Sequence, residues 1–354
     1  MTINEMKRKL VFVGPMHYGQ LAMGGDTMKN QLFLQRFNEV YDEVIIVDTF
    51  DWKRKPLVLM RLIITLLRYR DLPIVLSVNP HSADILIRFI HILKLDSNTV
   101  YWVVGGSFHT MIKEGRFNIN HYKKLKAILV QGQSMVDSLC ECGLTNAIYI
   151  PNSKVINCVV SKSKKNDEIT HFVFLSRIEE SKGCKYIFES IDRLNSSGFK
   201  GRFDVSFYGM MSKDKMFSEY FENAIAEHNE TRYGGLLNLR DDKNYDLLGQ
   251  YDVMLFPTFW YGEGFPGVII DAYIASLPII ATDWNLNKDV VRDGETGWII
   301  PIKDTDALAE RMIYAIEHPN LLSKMSENSG KLAFQYDSRK VLSEEKLRQI
   351  GILS

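Results

Sequence analysis

The chain has 354 residues, 46% of them hydrophobic and 24% charged, and its 43 Lys+Arg balance its 43 Asp+Glu. That length predicts two domains, and that composition excludes intrinsic disorder. With zero net charge and no Lys/Arg cluster interleaved with aromatics, nucleic acid is excluded as the expected partner.

The charge is unevenly spread. Residues 1–150 hold 18 Lys+Arg against 13 Asp+Glu, a balance of +5, and the remainder carries −5. A basic first half predicts that the anionic partner, if any, meets that half. The longest apolar run, Leu62–Leu67, falls far short of a membrane span, and the segment after Lys7–Lys9 is too short for a signal-peptide core. The expected location is the cytoplasm, either free or peripheral at the inner face of the cell membrane. Cys140, Cys142, Cys158 and Cys184 lack zinc-site spacing and are read as free thiols.

In chain order, Lys9–Pro15 is a short apolar run ending at Gly and Pro, which predicts a buried parallel strand feeding a loop. A glycine-containing loop follows, and Asp26 or Thr27 is placed to cap a helix through Gln31, Leu34 and Phe37. Strands are predicted at 43–49, 73–79, 99–106, 127–132 and 147–152, with a helix from about Ser82 to Leu93. The stretch Trp52–Arg70 has six cations and no acid. Leu59, Leu62, Ile63, Leu66 and Leu67 follow helical spacing, with Arg61 and Arg68 on one face. Two readings stay open there: a core-facing helix with solvated ends, or an interfacial helix drawn to anionic lipid.

The lysine-rich stretch 161–170 is the linker candidate. Beyond it the pattern restarts, with strands predicted at 170–177, 203–209, 251–258, 277–283 and 297–302. Alternating strands and helices predict an α/β fold of two Rossmann-like, doubly wound domains facing across a cleft. The domains are drawn at 1–156 and 168–334, with a C-terminal helix near 335–354 packing back on the first. No G-x-G-x-x-G follows a strand, which weakens a nicotinamide enzyme.

The most informative stretch is Pro257–Asp283. A strand end is followed by Glu263, then by Gly264, Phe265, Pro266 and Gly267 at a helix onset, where free amides and the helix dipole suit an anion. Asp271 lies a turn further on. Two carboxylates flanking that turn can hold hydroxylated rings on either side of a diphosphate. Arg177 and Lys182, just past the strand at 170–177, supply cations that stay charged at neutral pH.

These residues resemble the family 4 glycosyltransferases of GT-B fold. Glu263-x7-Asp271 is similar to that family's E-x7-E signature, with Asp one methylene shorter than the usual Glu. FLSRIEESKG (Phe174–Gly183) resembles its diphosphate-gripping loop, IPNS (Ile150–Ser153) its hinge segment, and DGETGWIIP (Asp293–Pro301) a further motif. The resemblance implies a retaining hexosyltransferase. The donor would be a nucleotide sugar, with UDP-sugar expected, and the acceptor a glycan or lipid-linked saccharide in bacterial polysaccharide assembly.

The resemblance also implies roles. Arg177 and Lys182 would grip the diphosphate, and Glu263 and Asp271 would hold sugar and ribose. Gly24 and Gly25 would form the loop over donor phosphates and acceptor, and His109 would lie near the transferred sugar, with His81 a weaker parallel. The family's glycine-rich turn is replaced by WNLNKD (Trp284–Asp289), so donor contacts are not carried over to that loop. Asp304-Thr305-Asp306 has D-x-D spacing but precedes a helical segment, so Asp304 is read as an N-cap. The expected site therefore holds no metal and needs no cofactor beyond its donor. A nucleotide-sugar epimerase on the same plan is the alternative enzyme, and a non-catalytic sugar-nucleotide-binding module ranks below both.

Overall fold

The computed structural model of the chain describes residues 7–16, 25–162, 168–239 and 242–353. Two compact units emerge, residues 1–155 with 336–354, and residues 156–335.

The first unit runs β1 (Lys9–Gly14), α1 (Gly25–Val40), β2 (Glu43–Asp48), α2 (Pro56–Arg68), β3 (Ile74–Leu76), α3 (Pro80–Ile92) and β4 (Thr99–Trp102). It continues with α4 (Phe108–Lys113), α5 (Ile119–Lys123), β5 (Ala127–Val130), α6 (Gln133–Glu141) and β6 (Ala147–Tyr149). Its six strands are all parallel, in the order β2-β1-β3-β4-β5-β6. The apolar runs of β1, β3, β4 and β5 are buried on both faces, as a helix-covered parallel sheet requires, while the edge strands β2 and β6 are half-buried. Asn79 caps α3, accepting from the Ser82 amide at 3.0 Å, so that helix starts at Pro80 rather than Ser82.

The second unit runs β7 (Thr170–Leu175), α7 (Cys184–Ser196), β8 (Phe203–Tyr208), α8 (Lys215–Glu227), β9 (Thr231–Tyr233), α9 (Asp242–Leu248) and β10 (Val253–Phe256). Then come α10 (Gly267–Ile274), β11 (Ile279–Thr282), α11 (Asn287–Val290), β12 (Gly297–Ile300), α12 (Thr305–Glu317) and α13 (Pro319–Ala333). Its parallel sheet has the order β12-β11-β10-β7-β8-β9. Counted within the unit this is 6-5-4-1-2-3, the Rossmann order, whose direction reverses between β7 and β10. Two short helices, α14 (Ser338–Val341) and α15 (Glu344–Gln349), belong to the first unit, where Val341, Leu342, Leu347 and Ile350 join the core of Phe12, Phe37 and Trp102.

Some expectations are corrected and others hold. The passage between units falls at Val155–Ile156, before the lysine-rich stretch, of which 163–167 lie outside the described residues. Pro266 is the N-cap of α10, which begins at Gly267. On α2, Leu62 and Leu66 are buried, but Leu67 points outward. Asp304 does cap α12, accepting from the Ala307 amide at 2.9 Å, and Asp306 pairs with Arg193. The four cysteines are free.

Candidate active site

In an open parallel sheet, ligands bind beyond the carboxyl ends of the strands where the strand order reverses. In the second unit that point lies between β7 and β10, and the predicted residues follow those two strands. Arg177 comes two residues after β7, and Lys182 ends a single 3₁₀ turn, Glu180–Lys182. Gly183 then adopts φ 84° and leads into α7; a Cβ there would meet the Pro257 carbonyl oxygen at 2.2 Å, so only glycine brings this loop against the end of β10.

From the other strand, Thr258–Glu263 folds back over the β7 loop. The Phe259 amide donates to the Ser181 carbonyl at 2.9 Å, and the Glu263 amide to the Trp260 carbonyl at 3.0 Å. The result brings Lys182 onto Glu263 in a direct ion pair, with Thr258 Oγ1 donating to Glu263 Oε2 at 3.2 Å. Lys182 is only 4% exposed and Glu263 8%. Burial lowers the Lys182 pKa, with the Glu263 charge opposing it. The Trp260 ring lies over both cations, 4.3 Å from Lys182 Nζ and 5.0 Å from the Arg177 guanidinium carbon. Arg177 also pairs with Glu179 at 2.8 Å.

Asp271 is buried in the second turn of α10 and accepts from Tyr245 Oη at 2.6 Å. Gly264, Phe265, Pro266 and Gly267 form the approach to α10, with Phe265 buried. The second unit thus gathers Arg177, Lys182, Glu263, Asp271 and the 264–267 turn about one switch point.

The remaining predicted residues belong to the first unit. Gly25 starts α1, and Gly24 lies outside the described residues. His109 sits in the first turn of α4 with Nδ1 buried, and burial lowers its pKa. Its Nε2 is 3.4 Å from Thr110 Oγ1. His81 is exposed, edge-on to Phe117.

Sequence reasoning missed a third contributor, the loop after β11. Trp284 Nε1 donates to the Trp260 carbonyl at 2.7 Å, and Asn285 Nδ2 donates to the Glu263 carbonyl at 2.8 Å. Thr282 Oγ1 holds the Thr258 carbonyl at 2.5 Å. Asn285 itself is left-handed at φ 47°, a conformation Asn tolerates better than most residues. Trp260, Tyr245 and Glu179 were also missed. No group of three or more His, Cys, Asp or Glu among the described residues is placed to hold a metal ion.

Residues 159–332 match the family Glycosyl transferases group 1. The chain is 33% identical over 94 residues to the Staphylococcus aureus capsular polysaccharide biosynthesis glycosyltransferase CapM, spanning 27% of this chain and 24% of that protein. It is 30% identical over 83 residues to the Mycobacterium leprae phosphatidyl-myo-inositol mannosyltransferase, spanning 23% of this chain and 22% of the relative. The matches thus cover about a quarter of those relatives' length. Among solved structures, Anabaena HepE in complex with UDP superposes with a TM-score of 0.72 at 14% identity, over 96% of this chain and all of that one. That likeness shows the fold, the two-domain GT-B plan.

Proposed function

Because the chain carries a Glycosyl transferases group 1 domain, we propose that it moves a sugar from a nucleotide-diphosphate donor onto a saccharide acceptor during polysaccharide assembly. The observation that carries this reading is the convergence of Arg177, Lys182 and the Glu263 loop at the β7/β10 switch point. UDP is the favoured nucleotide, since HepE, of the same fold, is crystallised with UDP and with UDP-glucose. The acceptor is a glycan or a lipid-linked saccharide, and a phosphatidylinositol mannosyltransferase stands among the relatives. A peripheral place at a membrane, where such an acceptor would be met, belongs to the same proposal.

The chemistry follows from charge. As the glycosidic bond to the diphosphate breaks, negative charge grows on the leaving oxygens. Arg177, Lys182 and the amides at the start of α10 stabilise it before the acceptor is bonded. Lys182 reaches the donor by exchanging its Glu263 contact for phosphate oxygens, which frees Glu263 for the sugar hydroxyls. Asp271 serves the nucleotide ribose. His109 and the Gly24–Gly25 loop serve the transferred sugar and phosphates from the first unit. The acceptor hydroxyl attacks from the face the diphosphate leaves and gives its proton to the departing phosphate oxygen, so configuration is retained and no side-chain nucleophile is needed. Neutralisation by Arg and Lys makes turnover independent of a metal.

Calorimetry with UDP tests the assignment. Arg177→Ala removes a charge-assisted contact of about 1.5–3 kcal/mol, so affinity should fall about 10- to 100-fold, with the fold intact. Turnover in excess EDTA should equal turnover in buffer. Unchanged UDP affinity would remove Arg177 from the site, and activity restored only by manganese would overturn metal independence.

A further inference from the structure

Helix α2 presents apolar side chains outward. Leu57 is 71% exposed, Met60 54%, Ile64 56% and Leu67 51%. At helical spacing these four fall within about a quarter of the circumference, away from the buried Leu62 and Leu66. An exposed stripe of four large aliphatic residues is not the ordinary scatter of surface apolar groups.

Its borders are cationic. Arg61 and Arg68 lie beside the stripe on the same helix, and Lys53, Arg54 and Lys55 precede it in the turn before Pro56. With Arg70 these six are all exposed, and among the described residues none is in an ion pair. Trp52 and Tyr69, amphipathic rings at the two ends, lie near Lys53 and Arg68. Apolar stripe, uncompensated basic flank and terminal aromatics are the features that seat a helix in the plane of a membrane interface.

We propose that this face of α2 docks the chain on an anionic lipid bilayer. Leu57, Met60, Ile64 and Leu67 enter the boundary between headgroups and acyl chains, and the six cations meet the headgroup charge. A second copy of the chain is a poorer occupant, because a two-fold contact would set cations against cations. A polyanion in solution would use the charges and leave the apolar stripe in water. The inference rests on the transferase reading for its purpose, since it brings the enzyme to a lipid-carried acceptor. Its physical basis is independent of catalysis.

Co-sedimentation of the full chain tests it, with vesicles of about three parts phosphatidylcholine to one part phosphatidylglycerol, beside pure phosphatidylcholine. At low salt the protein should pellet with the anionic vesicles and stay in solution with the neutral ones. Raising the salt beyond a Debye length of about 8 Å should release most of it. Lys53→Gln/Arg54→Gln/Lys55→Gln and, separately, Leu57→Gln/Ile64→Gln should each lower partitioning at least tenfold while UDP affinity stays unchanged. No binding at low salt, equal binding to neutral vesicles, or indifference to both variants would overturn the proposal. So would a concentration-dependent dimer that Leu57→Gln/Ile64→Gln abolishes, which would give the face to a second copy. Vesicle binding without UDP binding would keep the docking and discard the transferase reading, and the converse result would do the reverse.

Discussion

Lys182 and Glu263 place opposite charges where almost no water reaches, so the pair is held less by its own attraction than by the cost of breaking it. Lys182→Met or Glu263→Leu alone should lower the unfolding free energy by about 3–5 kcal/mol, because each leaves a buried partner uncompensated. Lys182→Met/Glu263→Leu should recover most of that loss yet still bind UDP poorly. Urea titrations of the four proteins measure the coupling, and additive losses would show that the contact is incidental. Among the described residues, a second buried lysine has no acid beside it. Lys29 donates to the Val103 carbonyl at 2.9 Å, lies near the rings of Phe33 and Trp102, and has its pKa lowered by burial from 10.5 to about 7. Between those values the unfolded chain binds a proton that the folded chain lacks, so stability should rise with pH by up to about 1.4 kcal/mol per unit. Below pH 7 both states are protonated and the contribution settles at its low plateau. Lys29→Met should therefore be more stable than the parent at pH 7, with the difference shrinking by pH 9. A difference that does not change with pH would place the Lys29 titration elsewhere.

At the scale of elements, the candidate site is three loops following β7, β10 and β11, and the third positions the second. Asn285 and Trp284 bind backbone carbonyls of residues 260, 261 and 263 and so fix the path of the loop that carries Glu263. Asn285→Gly, which keeps the left-handed backbone but not the amide, should reduce kcat by about tenfold, the equivalent of one well-placed hydrogen bond, while UDP affinity and the thermal midpoint barely move. Asn285→Ala should lose kcat to a similar degree and also lower the thermal midpoint, because Ala is strained at that backbone angle. Equal loss of kcat and UDP affinity would mean the loop merely holds the fold. The parallel strands were legible in the sequence because buried strands read as apolar runs closed by Gly, Pro or Asp. Thr231–Tyr233 was not, since it is a three-residue edge strand with Arg232 and Tyr233 exposed. That Arg177, Lys182 and Glu263 come together beyond β7 and β10 was legible because charge in the loop after a buried strand has few structural uses. Trp260, Trp284, Asn285 and Tyr245 act through partners 22 to 83 residues away in some cases, or through ring faces, and neither leaves a periodic trace. The outward stripe of α2 was hidden because helical spacing alone does not say which of two apolar faces the core takes.

At the scale of the molecule, the chain builds most of its first unit, then all of its second, and returns to the first at Tyr336. The return is anchored through the backbone, with the Lys154 amide donating to the Tyr336 carbonyl at 3.0 Å and the Ser338 amide to the Lys154 carbonyl at 2.8 Å. Tyr41 Oη holds the Ile352 carbonyl at 2.6 Å, and Arg36 Nε the Leu342 carbonyl at 3.2 Å. Val341, Leu342, Leu347, Ile350, Ile352 and Leu353 are all buried against the β1, α1 and β4 core. At about 1.5–3 kcal/mol for each large side chain, their burial amounts to at least several kcal/mol even after allowance for a compact unfolded state. That is comparable to the whole stability of a domain. A chain ending at Gln335 should therefore lose amide-exchange protection in β1, α1 and β4 while β7, β8 and β10 keep theirs, since the second unit retains every strand and helix of its own sheet. Leu347→Ala/Ile350→Ala should reproduce the selective loss in milder form. Protection lost evenly across both sheets would show that the two units unfold as one, and protection lost in neither would make the C-terminal segment a passive covering.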